Sequence, residues 1–495
     1  MLYRNLLASV ALLLSLASAT RAADTPPNVI FLMADDLGYG DVGFNGNKFV
    51  ETPHLDRMAK DGIRFTRFYS IGPICSPTRA SVQTGRHYMR FGMMNVNVGK
   101  LPAQEISLPR IAKSRGFATG HFGKWHLGTM SREHTQVRGK RAAEGYGPPW
   151  ERGYDTTFTT ETNIATWDPL DYTGLRIPKH SCTFWSNGRQ VPGDYKGSSE
   201  RIIMDRAIEF VSESATAKKP FLATVWFYGP HSPVRAGAEL RELYAELPLG
   251  KQHYYGAVTF IDTEVGRLRA ALSELGVEHN TLIFFCSDNG PEGTGKPAAE
   301  YTPYHGAYHG SAGRFRGRKR SLYNGGVCVP AVAVWPDVVR PGQTITEPVC
   351  VLDYVPTLNE ILAHKMPDAR PLDGVSILPL LNGHKQWRRE RMIPFATKLR
   401  QQSVALIHDG YKFYSNDWNK PSPSDELYHL ADDHGEKHNL AAKNSDLLRR
   451  MKLEFIAWVD SCHNSYAGRD YPKPYTPQGS IIPRATRTSS TPTAN

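Results

Sequence analysis

VIFLMADD, residues 29–36, is an unbroken run of six apolar residues that ends in two aspartates. A run this short and this rich in Val, Ile and Phe reads as a strand buried on both faces, as in a parallel sheet covered by helices. A half-exposed strand would alternate apolar with polar residues instead. Phe221 to Tyr228 and Leu282 to Cys286 repeat the pattern, the first leading to His231 and the second to Asp288 and Asn289. Apolar strands that end in polar chemistry place a site beyond the carboxyl ends of the strands, where open α/β sheets hold their ligands. A fourth strand is expected at Val329 to Trp335, with helices at Ser199 to Ser212, capped by Ser199, and at Gly256 to Leu275. Alternating strands and helices make the fold class α/β.

The chain has 495 residues, more than one core usually organises, so two domains are expected. Arg4 precedes the apolar stretch Leu6 to Leu16, and small residues follow up to Ala22, the layout of a secretory signal peptide over residues 1–22. Eleven residues are too few to span a bilayer, and no later run is long enough, so no membrane anchor is expected. The product should be exported, to a periplasm or the extracellular space, and the absence of an Asn-x-Ser/Thr sequon suits a bacterial source. A formal charge of +11 favours acidic partners, and export argues against nucleic acid.

Residues 130–197, dense in Gly, Pro and aromatics, read as long surface loops. Trp150, Trp167 and Trp185 there could stack on sugar rings or simply pin the loops, with nothing to decide between the two. Past Arg391 the pattern changes again. VALIHDGYKFY (404–414) carries an Asp409-Gly410 hairpin turn, ELYHL (426–430) reads as a further strand, and Asn444 to Ser461 is an amphipathic helix that should cover this antiparallel sheet. The tail beyond it, rich in Pro, Ser and Thr, reads as a strap or a loose end. The division is thus 1–22 signal peptide, 23–390 main α/β domain and 391–495 C-terminal α+β subdomain.

CSPTRASVQTGR, residues 75–86, carries the chemistry. Ser76 as N-cap, Pro77 at the first position and Gly85 as a left-handed terminator predict a helix over Pro77 to Thr84, with Cys75 at its positive end. Arg79 returns to the same side one turn later, so cysteine, free N–H groups and a guanidinium meet at one anion-sized spot. A lone cysteine is ordinarily a small buried hydrophobe. These neighbours reverse that reading, because the string resembles the signature of the type I sulfatases of the alkaline phosphatase superfamily. In that family the cysteine of Cys-x-Pro-x-Arg is oxidised to formylglycine by a formylglycine-generating enzyme. The resemblance implies a large, mainly parallel mixed sheet flanked by helices, with a smaller C-terminal antiparallel sheet and packed helix.

The same resemblance extends through DDLGYGD (35–41) and SDNGP (287–291), which alone would be only turns. It implies Ca²⁺ held by Asp35, Asp36, Asp288, Asn289 and the residue made from Cys75, a hard-oxygen set. Lys124 and His126 in GKWHLG are expected on one extended face; the resemblance implies that Lys124 binds the sulfate and the formylglycine and that His126 meets the diol. His231 in GPHSPV is implied to protonate the leaving oxygen. In RFRGRKRSLYNGG (314–326), ordinarily a solvated basic loop, Lys319 corresponds to the second sulfate-binding lysine. Three positions depart from the family pattern: Arg320 stands at a usual Gly, Asn324 at a usual Glu and Cys328 at a usual Arg. The rim they leave favours further anionic groups on the substrate.

Together these imply a sulfuric ester hydrolase acting on a sulfated carbohydrate or sulfated small molecule. In the implied mechanism one hydroxyl of the hydrated aldehyde, activated by Ca²⁺ and Asp288 and stabilised by Arg79, attacks sulfur while Lys124, Lys319 and the cation absorb charge, and the second expels sulfate with help from His126. A phosphate or phosphonate ester hydrolase of the same superfamily, and a glycan-binding protein without turnover, are the alternatives.

Overall fold

A computed structural model describes residues 26–484 apart from 136–141, 172–182, 294–300, 400–401, 419, 421–423, 472–474, 476 and 478. The expected signal segment and Cys182 lie outside the described residues. Eleven strands form one mixed sheet: β1 (Asn28–Ala34), β2 (Ile63–Tyr69), β3 (Ala118–Lys124), β4 (Thr156–Thr160), β5 (Phe184–Ser186), β6 (Arg189–Val191), β7 (Phe221–Trp226), β8 (Thr281–Ser287), β9 (Cys328–Val334), β10 (Gln343–Ile345) and β11 (Val349–Cys350). The order is β10-β2-β9-β8-β1-β7-β3-β4-β5-β6, with β11 also on β2. The central run β8-β1-β7-β3-β4 is parallel, whereas β9 runs antiparallel to both β8 and β2.

The continuous apolar runs are explained by two covered faces. Along β1, Val29, Phe31 and Met33 enter one core, and Ile30, Leu32 and Ala34 the other. The helices Pro53–Asp61, Ser199–Thr216 and Leu249–Glu274 cover the second face through Leu55, Ile203, Phe210, Val258 and Leu268. Cys75–Thr84, Leu108–Ser114 and Tyr354–Ile361 cover the first through Val82, Ile111 and Leu358.

A four-stranded antiparallel sheet follows, β12 (Ile393–Thr397), β13 (Ser403–His408), β14 (Tyr411–Asn416) and β15 (Ser424–His429), with Asp409 and Gly410 both at positive φ in the β13–β14 turn. Helix Ser445–Tyr466 packs Met451, Phe455, Trp458 and Val459 into the same core as the first face of the large sheet. The small sheet therefore shares its core with the large one.

Several expectations change. The 130–197 region is not only loop: β4 joins the parallel sheet and β5–β6 extend it. Trp150 lies against Trp185 with ring centroids 6.2 Å apart, and Trp167 stands edge-on to Phe260 at 6.1 Å, so these rings pin the segment. Ser198, not Ser199, caps the Ser199–Thr216 helix, its side chain accepting from Glu200 N. The expected start at Gly256 is seven residues late, since that helix begins at Leu249. Of the tail, residues 479–484 form a strap, with Ser480 bridged to Met93 and Ile482 fully buried. Among the described residues, no helix is long and apolar enough to cross a membrane, and Cys75, Cys286, Cys328, Cys350 and Cys462 are free thiols.

Candidate active site

Strand register assembles the site. β1 and β8 are parallel neighbours with Ala34 opposite Ser287, so the residues that follow them, Asp35-Asp36 and Asp288-Asn289, emerge side by side. Asp36 then turns through a left-handed conformation (φ 66°). Its N–H donates to Asp288 Oδ1 at 3.2 Å, and Asn289 Nδ2 donates to Asp36 Oδ1 at 2.7 Å.

The helix bearing Cys75 begins two residues earlier than expected. Cys75 is its first residue, Ile74 stands at the cap position with no side-chain bond, and Ser76 instead donates to the His126 carbonyl at 2.8 Å. Gly85 ends it at φ 65°, where an added Cβ would lie 2.6 Å from Val355 Cβ. Every residue of the helix is buried, so its N-terminal N–H groups face the protein interior. Cys75 Sγ lies 3.4 Å from Asp35 Oδ1.

Arg79 is held on all sides. Its Nε and Nη2 donate to Asp288 Oδ2 at 3.1 and 2.8 Å, Nη2 is 3.2 Å from Asp35 Oδ2, Nη1 donates to the Lys124 carbonyl at 3.2 Å, and the Trp226 ring lies 4.9 Å away. Lys124, the last residue of β3, places Nζ on Asp35 Oδ2. Lys319 Nζ reaches Asp36 Oδ2 at 2.7 Å and Glu292 Oε2 at 3.3 Å. The basic loop is not solvated as a whole: Arg316 stacks on Tyr323 at 3.7 Å and Arg318 donates to the Glu292 and Gly310 carbonyls.

These charges set the protonation states. Burial pushes Asp35 up, but Lys124, His231, Arg79 and Lys319 outweigh it and hold the carboxyl well below its ordinary range. Burial followed by the charge of Asp35 lifts Asp288 to about 6, and burial also raises Asp36. The Cys75 thiol is pushed well above its ordinary value by burial, then by Asp288 and Asp35. As an unmodified cysteine it is therefore protonated and a poor nucleophile.

His231 Nδ1 donates to the Ser232 carbonyl at 2.6 Å, leaving Nε2 towards the site, 3.7 Å from Asp36 Oδ2. Burial, then Lys319, lowers its pKa to about 3, so it is neutral here and can donate from Nε2 only after gaining a proton. His126 is not on an extended face with Lys124, because its φ is 59°. Its Nε2–H donates to Asn97 Oδ1 at 2.9 Å, which leaves Nδ1 as a bare acceptor, buried and without a partner. Burial, then the charges of Lys124 and Arg79, lowers its pKa far below the ordinary value.

The structure thus brings Asp35, Asp36, Cys75, Arg79, Lys124, His126, His231, Asp288, Asn289 and Lys319 to one place. Asp35, Asp36, Cys75 and His231 each offer a ligand atom within 4.8 Å of the others. Asn289 Oδ1 is buried with no hydrogen-bond partner, an acceptor that a hard cation would satisfy. Sequence reading missed Asn97, Glu292 and Glu200. Glu292 directly follows SDNGP and was within reach of notice. Asn97 sits in a loop with no distinguishing signal. Glu200 accepts the N–H groups of Tyr228 (3.2 Å) and Gly229 (2.7 Å) ahead of His231, a contact visible only in three dimensions.

Residues 27–364 match the family model described as Sulfatase, and 310–457 match the model for the C-terminal region of N-sulphoglucosamine sulphohydrolase. Mouse (Mus musculus) steryl-sulfatase is 31% identical over 431 residues, covering 74% of this chain and 66% of its own length. N-acetylgalactosamine-6-sulfatase of Sus scrofa is 32% identical over 390 residues, covering 75% of this chain and 69% of its own. The solved structure of Ps i-CgsB in complex with k-i-k-neocarrahexaose superposes with a TM-score of 0.74 at 26% identity, covering 88% of this chain and 93% of that one. The phosphonate monoester hydrolase of Agrobacterium radiobacter shares the fold at a TM-score of 0.54 and 21% identity, covering 89% of this chain and 96% of its own. A fold built on this register, a Cys-x-Pro-x-Arg helix aimed at three carboxylates and a model match over most of the chain lead to one conclusion: the chain belongs to the sulfatase family, the sulfuric ester hydrolases.

Proposed function

We propose that this protein hydrolyses sulfate esters of a sulfated carbohydrate at residue 75, with the roles divided among the side chains just described. The observation that carries this is the convergence of Arg79, Lys124 and Lys319 on the carboxylates around Cys75, three cations suited to a tetrahedral anion. Asp35, Asp36, Asp288, Asn289 and residue 75 would hold Ca²⁺, which when bound supplies positive charge to the sulfate oxygens and lowers the pKa of a hydroxyl beside it. Oxidation of Cys75 to formylglycine would supply, on hydration, two hydroxyls on one carbon: one to take up the sulfuryl group and one to release it.

The remaining work falls to the chain's own groups. Arg79, locked by Asp288 and Trp226, cannot swing away and orients residue 75. Lys124 and Lys319, paired with Asp35 and Asp36, are the groups that turn to sulfate oxygens. His231 holds a proton on Nε2 for the leaving oxygen once an anionic ester offsets the neighbouring cations. His126, with Nε2–H spent on Asn97, receives a proton at Nδ1. Mouse steryl-sulfatase and porcine N-acetylgalactosamine-6-sulfatase carry their substrates in their names, and the carbohydrate choice here rests on the basic balance of the chain and on the latter enzyme. We also assign residues 1–22 to an export signal, 23–390 to the catalytic domain and 391–495 to the C-terminal subdomain.

The test is the mass of the Cys75 peptide from protein co-expressed with a formylglycine-generating enzyme, followed by turnover of matched sulfate, phosphate and phosphonate esters. An aldehyde at residue 75 with sulfate turnover is expected. An aldehyde with phosphonate turnover alone moves the protein to the hydrolase alternative. A thiol that persists beside that enzyme, with binding of sulfated glycan unaffected by Cys75→Ala, establishes a binding protein instead.

A further inference from the structure

We propose that Arg320 reads a second anionic group on the substrate, a sulfate or carboxylate borne on the atom next to the one carrying the scissile sulfate. This rests on the sulfatase reading above and names the substrate class of the same site: polyanionic esters with neighbouring charges.

Arg320 has φ 74°, the left-handed region that glycine occupies freely and that strains a long side chain by about 1–2 kcal/mol. The strain is held in place by its N–H, which donates to the Pro73 carbonyl at 2.8 Å, two residues before Cys75. The residue is thereby docked against the segment that leads into the Cys75 helix. Its neighbour Lys319 points inward and is 4% exposed, while the Arg320 side chain is 39% exposed. The two adjacent cations therefore divide the work, Lys319 buried on Asp36 and Arg320 reaching the surface beside it.

Glu292 joins them. Arg320 Nη1 and Nη2 grip its two oxygens, Nη2 to Oε2 at 2.9 Å, and the same Oε2 lies 3.3 Å from Lys319 Nζ. Burial would raise the Glu292 pKa, but the hydrogen bonds from Arg320 and the charge of Lys319 bring it down to about 2, so a full negative charge sits between the two cations. The guanidinium has five N–H donors and Glu292 engages two, leaving three without a protein acceptor among the described residues. Asp36 and Cys75 lie within its electrostatic reach. A monoanionic ester held by Lys124 and Lys319 leaves those donors in water. A second anion one bond along the substrate meets them, and the fork geometry suits planar carboxylates and tetrahedral sulfates alike.

The experiment uses the full chain matured at Cys75, with 4-nitrophenyl sulfate and 2-carboxy-4-nitrophenyl sulfate as the pair of esters. The quantity read is the ratio of kcat/KM for the carboxylated over the plain ester, compared between wild type and variant so that intrinsic reactivity cancels. Arg320→Gly, which suits the backbone conformation, should lower the ratio about tenfold, the value of one charge-assisted contact at a half-exposed site. Glu292→Gln should raise it by freeing the guanidinium. A role confined to holding the loop would lower both rates together and leave the ratio unchanged, and a ratio within about twofold of wild type in both variants overturns the proposal. The same ratio is read as Kd by calorimetry in a Cys75→Ala background. Absence of sulfate turnover in aldehyde-bearing wild type therefore defeats the sulfatase reading, while the binding ratio still decides this one.

Discussion

Asn289→Leu separates a metal ligand from an ordinary buried amide. The amide Nδ2 donates to Asp36 Oδ1 at 2.7 Å and to the Gly290 carbonyl at 2.8 Å, while Oδ1 is buried without a partner. Without metal, removing the side chain loses about 3 kcal/mol of hydrogen bonds, one of them to a charged group, and recovers about 2 kcal/mol of desolvation at Oδ1. The variant should be only about 1 kcal/mol less stable. With Ca²⁺ at a hundred times the wild-type Kd, wild type gains about 2.7 kcal/mol. If losing one ligand weakens binding about 10–100-fold, the variant gains only about 0.4–1.4 kcal/mol. The gap thus widens to about 2–3 kcal/mol. For a chain of 495 residues unfolding as a unit, 1 kcal/mol is about 1 °C in Tm, so thermal melts in chelator and in Ca²⁺ should show gaps of about 1 and about 3 °C. Equal gaps under both conditions would refute the assignment of Oδ1 to the metal. A gap of several degrees in chelator would refute the desolvation penalty itself.

Lys412 on β14 pairs with Glu436 at 2.7 Å, both fully buried, and also donates to the Leu322 carbonyl and to Asn324 Oδ1. Lys412→Met should cost about 3–5 kcal/mol in thermal melts by stranding Glu436, and Lys412→Met with Glu436→Leu should recover most of it. Glu200, raised to about 8 chiefly by burial, is protonated when folded and ionised when unfolded between its ordinary 4.5 and about 8. Its contribution therefore makes stability fall as pH rises through that window, and Glu200→Gln should flatten the slope of Tm against pH from 5 to 8. Trp150→Ala should lower Tm through loss of its packing on Trp185, while KM for a sulfated glycan stays within about twofold of wild type. A larger rise in KM would return that ring to the substrate.

What was legible from residues alone was what local rules determine. β1 and β8 could be read because burial on both faces forces continuous apolar runs, and the hairpin at 409–410 because Asp-Gly fits its turn. The start of the Cys75 helix was misread because Ser76, a good cap in isolation, has a better partner in the His126 carbonyl across the site. Likewise, β4 was lost among loop residues because its place on β3 comes from tertiary pairing, and TTFTT carries too little apolar signal to announce it.

The carboxylate cluster shows why motif and register must be read together. DDLG and SDNG are separated by some 250 residues, and either alone is a turn. Pairing Ala34 with Ser287 makes them one feature, and a slip of one residue between β1 and β8 would also turn the apolar residues of the strand to the wrong core. The same hydrophobic alternation that fixes the sheet therefore fixes the spacing of the carboxylates. Their mutual repulsion is then offset by Arg79 from a helix, Lys124 from a third strand and Lys319 from a loop, three elements brought together only when the sheet has closed. The site is in this sense a consequence of the core: its charges sit where strand packing leaves them, and each of the three cations answers a carboxylate that burial alone would have neutralised.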